Sequence, residues 1–202
     1  MITTPAYAGA AFGTVGDGDL TEPGTRATAA DQLGIAGEWA WMHQVHGGAV
    51  LQVSRPGPAG DADALLTEQE GLPLAVRTAD CVPVVIHADT AVAVVHAGWR
   101  GLAAGVVANA LEALSEHHPR RAAVGPSIGP CCYEVGPEVI ERVGAPATTT
   151  WGTTSADLWT AAERQLPGVE VWRADLCTHC ETTFHSYRAT ATELRQTTVA
   201  WR

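Results

Sequence analysis

The chain contains no lysine; all twelve of its basic residues are arginine. Without a lysine amine there is no Schiff-base chemistry, which excludes pyridoxal phosphate enzymes and lysine-dependent aldolases. The same absence removes the lysine a P-loop nucleotidase needs. Asparagine occurs once, at Asn109, and the abundance of alanine together with arginine marks a GC-rich coding sequence. Basic charge is scarce overall: 12 basic residues face 22 acidic ones, a net charge of −10. Such a surface repels phosphate backbones and anionic membranes, so neither nucleic acid nor a membrane is expected as a partner. Long apolar runs are also missing. The longest, Val82 to Ala97, is interrupted by His87, Asp89 and His96, and falls short of the roughly 20 residues of a membrane span. Met1 to Phe12 has neither the charged start nor the continuous apolar stretch of a secretory signal. The five cysteines, Cys81, Cys131, Cys132, Cys177 and Cys180, are an odd number, which argues against a closed disulfide framework. A reducing cytoplasmic compartment is the expectation.

What is present describes an ordinary globular chain. Of 202 residues, 46% are hydrophobic and 17% charged, and a domain of this size buries roughly 70% of its unfolded surface without help from disulfides or metals. No repeat or long linker divides it, so residues 1–202 are read as a single domain. Gly16 to Gly24, Arg55 to Gly60 and Ala145 to Ser155 read as loops. Short apolar runs at Ala49 to Val53 and Leu74 to Val76 read as strands. Val82 to Ala88 and Ala91 to His96 read as neighbouring strands around an Asp89-Thr90 turn. Leu102, Val106, Val107, Ala110, Leu111 and Leu114 recur at helical spacing and predict one amphipathic helix ending near Pro119. A further strand is expected at Ala122 to Val124. Helices are expected from Pro137 to Val143 and from a Ser155 cap to Gln165, with closing strands at Val169 to Trp172 and Thr198 to Trp201. Strands outnumber helices without strict alternation, so the fold class expected is α+β with mixed β-sheets flanked by helices.

The most unusual local text is RTADC, Arg77 to Cys81, followed by HAGWRG, His96 to Gly101. A hairpin return would bring Cys81 and His96 to one sheet edge, as nucleophile and base or as two metal ligands; taken alone, the pair reads equally as a buried thiol and a satisfied core histidine, with Arg100 solvated. Gly98 and Gly101 bracket Trp99-Arg100 at a strand-to-helix turn, where free backbone N–H groups and the Arg100 guanidinium suit an anion. His46 lies in the Gly-rich turn of QVHGG, Gln44 to Gly48. His46, Cys81 and His96 together would give a three-ligand site with one open position, the pattern of catalytic zinc. Thiolate and imidazole also suit copper. Cys177-Thr-His-Cys180 is a CxxC, read either as half of a zinc site or as a redox pair. Cys131-Cys132 would complete a four-thiolate set, but buried, reduced thiols are the preferred reading. Asp61 and Asp63 could pair as acid and base, with a turn role preferred. His43, His87, His117 and His118 read as surface or core histidines, and Trp99 as a rim residue able to stack on a purine.

In order along the chain, QVHG, DADALLT, TADCVPVV, HAGWRG, IGPCCYEVG and FHSYR resemble the laccase-domain family. Its members have been called multicopper polyphenol oxidases and purine nucleoside phosphorylases with adenosine deaminase activity. The resemblance runs from about Trp41 to the C-terminus. Residues 1–38 match poorly, with Val15 of FGTVGDGDL standing where the family commonly carries arginine. The resemblance implies a compact α+β fold, often monomeric, with zinc on His46, Cys81 and His96. It implies small-molecule partners, a purine nucleoside and phosphate. Zinc lowers the pKa of bound water to about 7, which suits deamination at C6 of adenosine; phosphorolysis needs phosphate beside the anomeric carbon. Arg100 is the first candidate for that phosphate, followed by Arg188 of the SYR motif and Arg77. Asp80, adjacent to Cys81, could orient a ligand imidazole or handle protons, or equally serve as a turn or capping residue. Gln44 and Glu134, in QVHG and YEVG, are candidate substrate contacts; Glu134 could instead cap the helix at Pro137.

Three other readings compete. Cys81 and His96 could serve a metal-free cysteine hydrolase or deamidase, including one that edits peptidoglycan precursors. The older family name suggests a copper-dependent polyphenol oxidase, although eight histidines are few for a multicopper cluster. A non-catalytic or cell-wall role is the last.

Overall fold

In the computed structural model, which describes residues 1–5 and 8–202, the valine-rich centre forms a tight hairpin with Val82 opposite Ala97 and Pro83 opposite His96. In chain order the strands are β1 (Ile2–Thr3), β2 (Ala10–Phe12), β3 (Ala40–His43), β4 (Val50–Gln52), β5 (Gly57–Asp61), β6 (Ala64–Thr67), β7 (Leu74–Thr78), β8 (Val82–Ala88), β9 (Val92–Ala97), β10 (Pro119–Val124), β11 (Pro146–Thr148), β12 (Thr154–Ala156), β13 (Glu170–Arg173) and β14 (Gln196–Ala200). The helices are α1 (Pro23–Leu33), α2 (Trp99–Ala103), α3 (Val106–Ala113), α4 (Pro137–Val143), α5 (Leu158–Glu163) and α6 (Tyr187–Thr190).

Two six-stranded sheets carry the fold. One runs β1-β2-β14-β7-β3-β5 and the other β13-β10-β8-β9-β6-β4. Both are mixed: β7 and β5 are parallel to β3, β14 is antiparallel to β7, β8 is antiparallel to β9, and β4 is parallel to β6. The class is therefore α+β with mixed sheets, as expected.

The sheets stack face to face. Val85, Val92 and Val94 of the second sheet meet Phe12, Leu74 and Val76 of the first in one core. The alternate positions, Val82, Val84, Ile86, Ala93 and Val95, point the other way onto Leu102, Val106, Val107, Leu158 and Ala162. Both faces of β8 and β9 are thus buried, which explains their near-continuous valine text. Full burial of each such valine contributes about 1.5–3 kcal/mol relative to exposure. The far face of the first sheet packs Ala75 and Val199 against Ala29, Ala30 and Trp39. The layers run helix, sheet, sheet, helices.

The elements differ from expectation where tertiary contacts or glycine override local pattern. The helix expected through Leu102–Leu114 is two helices, α2 and α3, broken at Gly105, whose φ of 74° is left-handed. Arg55–Gly60 is not merely a turn, because Gly57–Asp61 pairs parallel to β3. Ala145–Ser155 contains a small hairpin of β11 and β12. Ser155 belongs to β12, and the cap of α5 is Asp157, whose side chain accepts from Thr160 N–H at 3.0 Å. α1 falls in a stretch for which no helix was expected; it has Pro at its first turn and ends on the left-handed Gly34. Among the described residues no helix is long and apolar enough to cross a membrane.

Candidate metal centre and its cleft

His46, Cys81 and His96 converge from three separate stretches of the chain. One donor atom from each lies within 4.8 Å of the others. Cys81 Sγ is 3.9 Å from His46 Nε2, and the two imidazole rings meet edge-on with centroids 4.7 Å apart. The β8–β9 hairpin supplies Cys81 and His96, and the loop after β3 supplies His46. Gly98 permits the approach: a Cβ there would lie 3.0 Å from His46 Cδ2 and 3.1 Å from Cys81 Sγ.

Asp63 is the residue that organises the centre, whereas its local sequence suggested a turn role. It is wholly buried beside β6. His96 Nδ1 donates to its Oδ1 at 2.8 Å, and His96 N–H donates to its backbone carbonyl at 2.7 Å. The same carboxylate accepts from the backbone N–H groups of Val45, His46 and Gly47 at 3.3, 2.9 and 2.6 Å. With Nδ1–H on the carboxylate, Nε2 of His96 is the nitrogen that would give its lone pair to a metal in the cluster. The Asp63 contacts also hold His46 in a left-handed conformation, φ 60°, which a non-glycine residue rarely adopts unless its surroundings impose it.

The electrostatics are those of a donor site suited to a cation. Burial opposes ionisation of Cys81, but the His46 and His96 imidazoles outweigh it and draw the thiol down to about 6. Burial likewise opposes a charged His96, and the Asp63 carboxylate and Cys81 outweigh it, holding the imidazole up to about 9. Without a metal the pair is a thiolate and an imidazolium. A thiolate and two imidazoles match zinc or copper in donor type, and three protein donors would leave such an ion a further position for water or substrate.

That cleft has a volume of about 840 Å³ and is lined by four arginines, Arg77, Arg100, Arg188 and Arg195. They are a third of the chain's twelve basic residues. Trp41, Trp99, Tyr133 and Tyr187 add aromatic surface. Arg100 stacks on Trp99 at 4.5 Å, and Arg188 lies over Tyr133 at 5.0 Å.

The other residues singled out from the sequence divide. Gln44 lines the cleft, but its amide is bonded at both ends to the Arg77 backbone, at 2.8 and 2.9 Å, pinning the His46 loop to β7. Asp80 does not orient an imidazole. Its oxygens accept from Thr178 Oγ1 at 2.7 Å and Arg188 N–H at 2.6 Å, so it positions loops, and Asp63 is the carboxylate on the ligand histidine. Glu134, unlike Gln44 and Asp80, is not on the cleft wall. Its carboxylate accepts from Trp151 Nε1 at 3.0 Å, and its backbone carbonyl takes the Arg188 guanidinium at 2.8 Å. Nor does Glu134 cap α4, which starts from Gly136. Arg195 went unnoticed because no motif surrounds it; the return into β14 carries it to the cleft.

Three side chains able to ligate a metal, backed by a buried carboxylate and opening into an arginine-lined cleft, define a candidate metal site on an α+β fold. The chain belongs to the family described as multi-copper polyphenol oxidoreductase laccase, whose model matches residues 2–202 and so includes the N-terminal stretch that the motifs alone match poorly. It is 38% identical over 176 residues to a protein of Shigella flexneri named purine nucleoside phosphorylase YfiH, covering 80% of this chain and 72% of that one. It is 37% identical over 207 residues to purine nucleoside phosphorylase SCO2081 of Streptomyces coelicolor, covering 94% and 86%. Among solved structures, YlmD from Geobacillus stearothermophilus superposes with a TM-score of 0.84 at 27% identity, over 98% of this chain and 94% of that one.

Proposed function

We propose that the protein is a zinc-dependent purine nucleoside enzyme, cleaving adenosine, inosine or methylthioadenosine with phosphate and deaminating adenosine. The observation that carries this is the concentration of four arginines around an open His46–Cys81–His96 centre in a chain of net charge −10. The names of its relatives point the same way. His46, Cys81 and His96 would hold the zinc ion, which would supply Lewis acidity to the cleft when bound. In phosphorolysis a phosphate oxygen bonds to the anomeric carbon, the glycosidic C–N bond breaks, and the purine leaves with a proton. Arg100 and Arg188, with Arg77 and Arg195, bind and orient the phosphate; Trp99 and Tyr133 offer rings for the purine. In deamination water adds at C6 and ammonia leaves from the same cleft. The protein acts on small molecules, as a monomer, in a reducing cytoplasm.

Copper suits the same donors, but a multicopper oxidase needs more imidazoles than this centre offers. Among the described residues His43 pairs with Asp61 at 2.9 Å and His117 contacts Thr90 at 2.7 Å, so neither joins it. A second reading rests on one specific arrangement. Cys81, His96 and Asp63 also follow the nucleophile, base and orienting-carboxylate order of a cysteine hydrolase.

Chromatography of adenosine incubated with zinc-loaded protein, with and without phosphate, separates these readings. Phosphate-dependent adenine, or phosphate-independent inosine, supports the purine reading. No turnover of nucleosides, with an amide hydrolysed after chelation, favours the cysteine hydrolase.

A further inference from the structure

Away from the cleft floor, four thiols meet where two loops cross. Cys131 and Cys132 follow Gly129-Pro130; Cys177 and Cys180 sit on the turn beyond β13. In that turn the Cys177 carbonyl accepts from the N–H groups of Cys180 and Glu181, both at 3.1 Å. The four Sγ atoms lie within 4.8 Å of one another, with Cys132–Cys180 at 3.2 Å and Cys131–Cys180 at 3.8 Å. Gly129 N–H donates to Cys177 Sγ at 3.2 Å. A Cβ on Gly129 would lie 3.2 Å from both Cys131 Sγ and Cys177 Cβ, so the loops approach closely because a glycine stands there.

All four are free thiols, and a purely apolar core gains nothing from converging four sulfurs. Zinc bound by four thiolates has Zn–S bonds of about 2.3 Å, which in a tetrahedron sets sulfur–sulfur separations of about 3.8 Å. The thiols already stand near that spacing. Cys132 and Cys177 are buried and Cys180 is exposed, which leaves an entry path.

We propose that Cys131, Cys132, Cys177 and Cys180 form a second metal site, binding one zinc ion through four thiolates and releasing their protons. Four protein donors close the coordination shell, so the site is structural. What it braces is visible in its neighbours. Thr178, inside the CxxC turn, holds Asp80, whose other oxygen holds the Arg188 backbone. Tyr133, next to Cys132, lies under the Arg188 guanidinium. The four-cysteine site therefore ties the arginine wall of the cleft to the loop that carries Cys81.

The test is metal content of the full chain, zinc-loaded, dialysed under reducing conditions and read by plasma mass spectrometry. Two zinc ions per chain are expected in the wild type, and one in Cys81→Ala, which loses the only thiolate of the first centre. Cobalt loaded into Cys81→Ala should give the intense near-ultraviolet charge-transfer band of a four-sulfur site, lost when Cys132→Ser and Cys180→Ser are added. The spectrum of Cys81→Ala leaves the four cysteines intact, so it does not depend on whether the serine variants fold. Retention of zinc with that band in Cys81→Ala supports the proposal. A Cys81→Ala protein that keeps no zinc, or whose cobalt spectrum lacks the band, overturns it.

Discussion

The two donor clusters of this chain are built oppositely. The first mixes one thiolate with two imidazoles, leans on the buried Asp63 and faces an 840 Å³ cleft. The second is all sulfur, gathered on two turns. Mixed donors with a carboxylate behind them leave a position open and tune it; four thiolates fill every position and hold loops together. The number of donors is therefore less informative than what stands behind them and what lies in front.

Four experiments probe this contrast. The largest effect is expected from Cys81→Ala, which should abolish turnover of purine nucleosides while the four-cysteine site keeps its metal; loss of both metals together would erase the distinction between the clusters. Next, Asp63→Asn should weaken zinc at the first centre by about 10–100-fold in a chelator competition, with no change at the second.

A third test concerns pH in the metal-free protein. Cys81 is lowered from 9.0 to about 6, so the stabilisation from its thiolate is complete above 9 and lost as pH falls through about 6. His96 is raised from 6.5 to about 9, so its contribution is complete below 6.5 and lost as pH rises through about 9. Both describe one ion pair, which exists between about 6 and about 9. The melting temperature should be highest in that window, and Cys81→Ala should flatten the profile. Iodoacetamide should alkylate Cys81 with a half-maximal rate near pH 6. The smallest effect is a paired control. Arg100→Ala should raise the KM for phosphate several-fold, and Arg120→Ala, which loses only an exposed bridge to Asp89, should leave it unchanged.

Much of this was legible in the sequence, for physical reasons. The β8–β9 pair could be read because burial on both faces selects valine throughout, and its turn then had to return Cys81 to His96. The meeting of His46 with them was only suggested by ligand chemistry, since it depends on a third segment folding over the hairpin, which no spacing encodes. Asp63 was missed because DADALLT reads locally as a turn followed by a strand; the one available signal was a carboxylate amid residues too apolar to be exposed. α1 was missed because its Ala/Thr-rich text buries only Ala29 and Ala30 and carries no apolar stripe. The break between α2 and α3 was signalled by Gly105, yet the apolar spacing runs straight through it. Arg195 and the engagement of Asp80 by Thr178 arise from sequence-distant contacts that no local pattern encodes.

Whether the first centre is a catalytic zinc site can be decided by one reconstitution series. Metal-stripped protein is reloaded with zinc or with copper and assayed with adenosine and phosphate, beside Cys81→Ala treated identically. The account requires turnover to vanish on stripping, to return with zinc and to stay absent in Cys81→Ala. Turnover that persists in the stripped protein, or a fully zinc-loaded protein that leaves adenosine intact, contradicts it.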